Sequence, residues 1–556
     1  MKLLSGVARM VILAAVGLLA VAVPGTSASS LQPVLAADLN PGPSGSDPAY
    51  TFSDGQRLYF EATDGPHQQE PWTFSGTSGK LLADLWAGPD ASYPGSFTRI
   101  GNTTFFFAYS DVYGRELWKT TGTTATLVKD IGPGTANGVQ SSQLAPLGGY
   151  LYFLGNDGNG QELWRSNGTT TEMVMDIYPG VNSSSPSDFA ELNGKLYFRA
   201  TAAAGGYELW RTDGTTTTLV QDINPTGSSN PGPFVKLGSY LYFGADNGTL
   251  GTELWRTDGT TTSLVKDIQP GANGSSISDM EAIGSRIWFR ANDSVTGSEP
   301  WSSDGTTTSL VADVDPGFGS SNPNEFIGFA GQVYFSAETP ATGEELFRSG
   351  GSGASLVSDI RSGENGSGPD NFKAFDGALF FRATTDNAGS ELWKVDGGKV
   401  SLVKDIFPGS DGSSPVHAAE HQGTLFFSAD DGTHGRELFK LAPPPVPDTS
   451  VSITINGKKL KLNRKGKGAI SLTCPAAETS GPCSGTLKVK SKNKRVRFSS
   501  GKFSIDSGKS KKIKIRVKSG LKTLRKKKAA RKLTAIATVS DAAGNKATVK
   551  KKMAAK

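Results

Sequence analysis

The sequence predicts an all-β chain: a β-propeller of nine four-stranded blades of about 46 residues, followed by an immunoglobulin-like β-sandwich. Three observations predict it. An internal repeat runs through most of the 556 residues, each repeat reads as strands and turns with no helical period, and the charge changes abruptly near residue 448. Such a period is the first thing to read in a chain, because it replaces the domain count that length alone would suggest.

The first segment is for export. Lys2 and Arg9 precede an apolar stretch from Met10 to Val23, and Thr26 and Ala28 are the small residues that signal peptidase requires. Residues 1–28 are therefore expected to be a signal peptide, and the mature chain to be secreted or extracellular, with the cell wall as one destination. Beyond Val23 no apolar run approaches the ~18 residues of a membrane helix.

From residue 33 to 441 the repeat takes over. Glu-Leu/Pro-Trp/Phe begins at Glu70, Glu116, Glu162, Glu208, Glu253, Glu299, Glu345, Glu391 and Glu437, and fourteen residues separate each Glu from the next Asp of an LVKDI-like string. Between them an LYF-like triplet recurs, starting at Leu58, Phe105, Leu151 and onward. In one period PSDFAELNG, KLYFRA, ELWRT and TTTTLVQDI make four strands rich in β-branched and aromatic residues. Asp213-Gly214, with its counterparts in other copies, is expected to form a two-residue hairpin turn because such turns need positive φ. Four strands per 40–50 residues describe a propeller blade. The array starts with a lone fourth strand around Asp38 and stops after a third strand at Glu437, so residues 33–39 should pair with 437–441 and seal the ring. Eight blades with one irregular copy, or two smaller rings, are the alternatives.

The repeated string GxELWxxDGTTTxLVxDIxPG resembles the bacterial exported proteins described by their ELWxxDGT repeats. That resemblance covers about residues 33–441 and implies an exported repeat protein for which no activity is generally established.

Regular residues and irregular ones carry different expectations. Seven Trp fall in the third strand (Trp72, Trp118, Trp164, Trp210, Trp255, Trp301 and Trp393), with Phe347 and Phe439 completing the set. They are expected to fill the space between blades rather than bind sugars, since a binding site breaks symmetry. The recurring Glu and Asp are expected to accept backbone N–H bonds in the loops at one end of each blade. Calcium between blades is the competing reading, weakened by the absence of Asp-x-Asp-x-Asp-Gly spacing. No metal site and no cofactor are expected otherwise. His417, His421 and His434 lie in the last blade, where His417 and His421 could share a strand face. Loops of nearly constant length and the absence of GxSxG, HExxH and a Gly-rich phosphate loop argue against an enzyme.

APPPVPD marks a Pro-rich linker at 442–447. Residues 448–556 contain 31 Lys and Arg against 4 acids, a net of +27, which leaves −22 upstream and an overall charge of +5. Alternation in KKIKIRVK places Ile513, Ile515 and Val517 in a core and Lys512, Lys514, Arg516 and Lys518 outside. Seven or so such strands in about 109 residues suggest the sandwich, and VSDAAGNKATV resembles the last hairpin of bacterial Ig-like modules. Cys474 and Cys483 are expected to form a small-loop disulfide. Lys512, Lys514, Arg516 and Lys518 are the candidate polyanion-binding residues, through contacts that would be salt-dependent.

The function expected from these features is non-enzymatic: an exported, monomeric binding or adhesion protein, its propeller a scaffold for protein or glycan and its basic module docking to cell-wall polymer, acidic glycan or another polyanion. Two alternatives stand beside it, a hydrolase or lyase acting on polysaccharide at the propeller channel and a structural wall component. A cluster of non-repeating carboxylates, Arg or Tyr at one end of the ring would favour the enzyme.

Overall fold

The computed structural model describes residues 31–443 apart from 77, 141, 142 and 204, and residues 451–556 apart from 477–480 and 542–544. The expected signal peptide and residues 444–447 of the expected linker lie outside them. The chain divides into two compact units, Met1–Pro444 and Pro445–Lys556.

Nine separate four-stranded antiparallel sheets make up the first unit, eight of them in sequence order from first strand to fourth. Blade 4 is representative, with Ser187–Leu192, Lys195–Thr201, Tyr207–Thr212 and Thr217–Gln221. The first strands of adjacent blades contact one another, so they line the ring's axis. In the ninth sheet the fourth strand is Gln32–Ala37, which runs antiparallel to Arg436–Ala442 with Gln32 opposite Ala442 and Leu35 opposite Phe439. The ring is closed by its own two ends, and nine blades result. Ala442, placed in the linker by composition, is the last residue of that strand.

Why the LYF triplet is apolar throughout, rather than alternating, follows from where the core sits. A blade is sandwiched between two others, so both faces of its second strand are buried. Leu196, Tyr197 and Phe198 are all at most 2% exposed. Leu196 and Phe198 pack with Tyr152 of the preceding blade, and Tyr197 packs with Leu241 and Phe243 of the following one. The third-strand aromatics complete this pattern. Trp118 shares a cluster with Tyr59, Trp164 with Phe105, Trp301 with Tyr242 and Phe347 with Trp288, in each case the middle residue of the preceding blade's triplet. At the seam Trp72 packs with Phe426 in the same way. Each such side chain, fully buried, contributes ~1.5–3 kcal/mol, which makes the interface between blades the principal source of stability.

Two details differ from the sequence reading. In blade 2 the triplet starts at Thr104, opposite Thr120, not at Phe105. The Asp-Gly hairpins are four-residue loops, not two-residue turns. The Asp213 carboxylate accepts the N–H groups of Thr215 and Thr216 at 2.9 and 2.8 Å, and Asp213 N–H donates to the Thr216 carbonyl. Gly214, at φ 89°, lies against the Tyr152 hydroxyl of the preceding blade, where a Cβ would come within 2.5 Å. Its carbonyl accepts a 2.6 Å bond from Arg165 of that blade. Glycine is therefore required there by the conformation and by the neighbouring blade.

The second unit is all-β as well. Its strands hydrogen-bond into one continuous nine-stranded sheet that surrounds a core including Leu460, Leu472, Leu487, Ile515 and Ala537. Cys474 and Cys483 form a fully buried disulfide. A short helix, Leu521–Lys526, and a 3-10 turn, Lys528–Arg531, occupy the basic stretch between two long strands.

Closure by one strand makes a direct prediction. Deleting residues 31–37 removes the partner of Arg436–Ala442 and lowers the thermal midpoint by about 5–10 °C or more, read by circular dichroism. An unchanged midpoint would mean that the ring does not depend on that strand.

Candidate functional site

Each blade begins its third strand with the repeated Glu, and the structure shows what that side chain does. Glu208 accepts the Ile223 N–H at 2.7 Å, the Ser229 N–H at 2.8 Å and the Ser229 hydroxyl at 2.7 Å. Glu299 does the same with Val314 and Ser321, at 2.8, 2.8 and 2.7 Å. At the seam Glu437 takes Leu39, Asn40 and the Ser46 hydroxyl from the other end of the chain. One carboxylate thus ties the end of its own blade's fourth strand to the loop that starts the next blade. Glu116 is the exception that explains the pattern. Its Ser is replaced by Gly138, and a Cβ there would meet the Glu116 carboxylate at 2.0 Å.

The repeated Asp is less engaged. Asp130, Asp176 and Asp313 each accept one glycine N–H at 3.2–3.3 Å. Among the described residues no group of three or more His, Cys, Asp or Glu is placed to hold a metal ion.

Upon this uniform frame the side chains at one end of the ring are not uniform. A β-bulge near the start of the first strand turns one residue to positive φ in blade after blade: Tyr50, Ser96, Asp188, Asp279, Glu325, Asn371 and His417, at φ 51–58°. The backbone repeats and the chemistry does not. The loop position three residues earlier behaves likewise, with Asp47, Tyr93, Ser185, Asn230, Ser276, Asn322 and Ser414 at φ 44–51°. Positive φ in non-glycine residues costs on the order of 1–3 kcal/mol, a strain that the surrounding hydrogen bonds must hold.

A third variable ring lies on the second strand, one residue beyond the repeated Glu in the pairing: Glu61, Phe107, Leu154, Arg199, Gly244, Arg290, Ser336, Arg382 and Ser428. Where this residue is Arg it is ion-paired to its own blade's first strand. Arg199 meets Asp188 at 3.3 Å, Arg290 meets Asp279 at 3.3 Å, and Arg382 pairs with Asp370. Blade 1 has Glu61 instead, opposite Ala49. Glu61 is 8% exposed and, among the described residues, has neither a hydrogen bond nor an ion pair. Burial, then the charges of Glu70 and Asp47, push its carboxyl up to about 7.

Around Glu61 the mouth continues with unlike groups from blades 9 and 1. Asp47 lies 4.0 Å from Arg436, whose guanidinium also donates to the Ser414 carbonyl at 2.8 Å. Burial raises the Asp47 carboxyl against the opposing pull of Arg436. The His417 ring sits 5.7 Å from the Tyr50 ring, and partial desolvation of the imidazole, followed by the Arg436 charge, lowers its pKa.

The sequence reading named none of these mouth residues except His417. His417 and His421 do not act together, because the bulge interrupts the alternation between them. His417 is exposed at the mouth, whereas His421 is buried and meets the Ser53 hydroxyl at 3.0 Å. His434 pairs instead with Asp431 at 2.8 Å. Lys512, Lys514, Arg516 and Lys518 are all exposed in the second unit, alternating with buried Ile513 and Ile515 and half-buried Val517. A signal for the mouth was present in the sequence: the positions at which the repeat fails to repeat.

No family model matches the chain, and no curated protein matches it in sequence. Among solved structures, a prolyl endopeptidase studied for the role of inter-domain dynamics in catalysis is similar at 12% identity and TM-score 0.35, over 69% of this chain and 54% of that one. A puromycin-hydrolysing peptidase of Mycobacterium tuberculosis is similar at 9% identity and TM-score 0.34, over 69% and 59%. The β-propeller domain of the Trilobed protease from Pyrococcus furiosus is similar at 11% identity and TM-score 0.31, over 56% and 95%. The chain spans a little over half the length of the two peptidases. At such identities these likenesses assign no residue a role. The ring's mouth collects non-repeating carboxylates, Arg and Tyr, the arrangement that favours the enzyme alternative. The expectation of a non-enzymatic adhesion protein docking to an anionic wall is corrected on that finding. Its argument from uniform loops fails because constant loops carry unlike side chains.

The frame makes its own predictions. Ser229→Ala removes a hydroxyl from a buried carboxylate and destabilises the propeller by about 1.5–3 kcal/mol in denaturant titrations. Burial raises all nine repeated carboxyls above their usual value, with Glu70 and Glu116 reaching about 7. A carboxyl raised on folding contributes stability that is complete below its unfolded value, near 4.5, and lost as pH climbs through its folded value. The thermal midpoint should therefore rise as pH is lowered from about 7.5 to about 5. A falling midpoint over that range would show that the donors, not burial, set these groups.

Proposed function

We propose that the protein is a hydrolase acting on polysaccharide at the channel mouth, with Glu61 as the general acid and Asp47 as the second carboxylate. The observation that carries this reading is the break in symmetry at Glu61: a buried carboxyl without a partner, at a position where blades 4, 6 and 8 hold ion-paired arginines.

Glycoside hydrolysis needs one carboxylic acid and one carboxylate flanking the scissile bond. Glu61, titrating at about 7, keeps its proton at mildly acidic to neutral pH and can give it to the glycosidic oxygen as the C–O bond breaks. Asp47, beside Arg436, supplies the carboxylate that takes a proton from the attacking water. The water's oxygen forms the new bond to the anomeric carbon and keeps one proton as the anomeric hydroxyl, its other proton passes to Asp47, and exchange with solvent then reprotonates Glu61 and leaves Asp47 ionised. Two features support a site for a long substrate: an axis lined by the first strands, and exposed tyrosines at its mouth. A serine-peptidase reading is not adopted, since the chain has no GxSxG and its mouth histidine faces Tyr50.

Glu61→Gln should lower kcat by about 10²–10⁴ with little change in KM, measured as reducing ends released from a panel of polysaccharides. In the wild type, kcat/KM should fall as pH rises through about 7. Arg436→Gln should move the acidic limb upward, because Arg436 is what holds Asp47 down. Full activity of Glu61→Gln would rule the assignment out.

A further inference from the structure

Two exposed tyrosines lie on segments that the backbone ties to the strands on either side of the Glu61 rung. Tyr50 follows Ala49, the residue paired across the sheet with Glu61. Tyr93 donates its N–H to the carbonyl of Gln69, the residue before Glu70, and so belongs to the loop that reaches blade 1 from blade 2. They are 57% and 58% exposed, in a protein whose other aromatic side chains are largely consumed by the contacts between blades. Both occupy positive-φ positions, at 53° and 45°, where a β-turn residue such as Asn or Gly would be the unstrained choice. Tyr50 is further steadied by the His417 ring at 5.7 Å.

Resting on the hydrolase reading above, we infer that Tyr50 and Tyr93 are stacking platforms on either side of Glu61, and that the substrate is a glycan free of acidic groups. A pyranose presents an apolar C–H face to an aromatic ring and hydroxyls at its edge, which fits an exposed tyrosine next to a carboxyl that lacks a hydrogen-bond partner. The charge pattern selects against acidic sugars. Asp47 and Glu70 both lie within electrostatic reach of Glu61, and Arg436, the cation beside Asp47, is already engaged by Asp47 and by the Ser414 carbonyl. A uronate or sulfate brought to Glu61 would meet the Asp47 carboxylate, with Arg436 already engaged. The arginines of blades 4, 6 and 8 are likewise occupied by their own aspartates. A neutral or amino-bearing sugar meets no such barrier.

The test is calorimetric binding to the full chain carrying Glu61→Gln, so that bound oligosaccharide is not consumed. Cello-oligosaccharides and chito-oligosaccharides are the neutral probes and oligogalacturonate the acidic one. We expect a neutral probe to bind, Tyr50→Ala and Tyr93→Ala each to weaken it about tenfold, and the Tyr→Phe variants to retain it, since stacking needs the ring and not the hydroxyl. The basic second unit can attract oligogalacturonate by charge alone, so only binding sensitive to the tyrosines is scored for that probe. Tyrosine-dependent binding of oligogalacturonate, no binding of any neutral probe, or neutral binding indifferent to both Ala variants would overturn the inference. If a neutral probe binds through the tyrosines but the wild-type chain does not cleave it, the hydrolase reading fails and the platform stands.

Discussion

The structure depends on one buried carboxylate per blade. By gathering the N–H group at the end of the fourth strand together with the serine of the next loop, the repeated Glu fixes where each blade hands the chain to its successor. Everything at that end of the ring follows. The loops cannot lengthen or drift without losing these bonds, so their backbone is copied around the ring, positive φ included. Packing between blades sets the other half of the geometry, through an aromatic residue of one third strand seated on the triplet of the blade before it.

A frame held this way separates stability from variation. Side chains that face the neighbouring blade or the Glu are nearly invariant from copy to copy, whereas those that emerge at the channel mouth differ at almost every blade. Blades 9 and 1 contribute the densest group of unlike residues: Asp47, Tyr50, Glu61, His417 and Arg436. They meet where the ring closes, so the strand that seals the fold also brings together residues from the two ends of the sequence.

Much of this was legible beforehand. The period, the four strands, the closing pair of strands and the role of Trp all follow from spacing and from the demand that both faces of a blade be buried. The disulfide and the alternation around Ile513 and Ile515 were equally readable. What escaped were features set by three dimensions. Glu61 lies within an apolar triplet's strand and reads as an ordinary surface carboxylate until its rung is compared with Arg199, Arg290 and Arg382. The bulge that separates His417 from His421 leaves no mark in composition, and the four-residue Asp-Gly loop depends on the Asp213 carboxylate capping two N–H groups, which residue spacing does not reveal.

The central claim is that burial holds Glu61 at the channel mouth protonated up to about pH 7. Carbon-13 NMR titration of the glutamate carboxyls, comparing wild type with Glu61→Gln, tests it most directly. The account predicts one resonance titrating near 7 that is absent from the variant while those of the repeated Glu persist. If the resonance lost in Glu61→Gln titrates in the ordinary range near 4.5, the proposed acid is a spectator and the account is wrong.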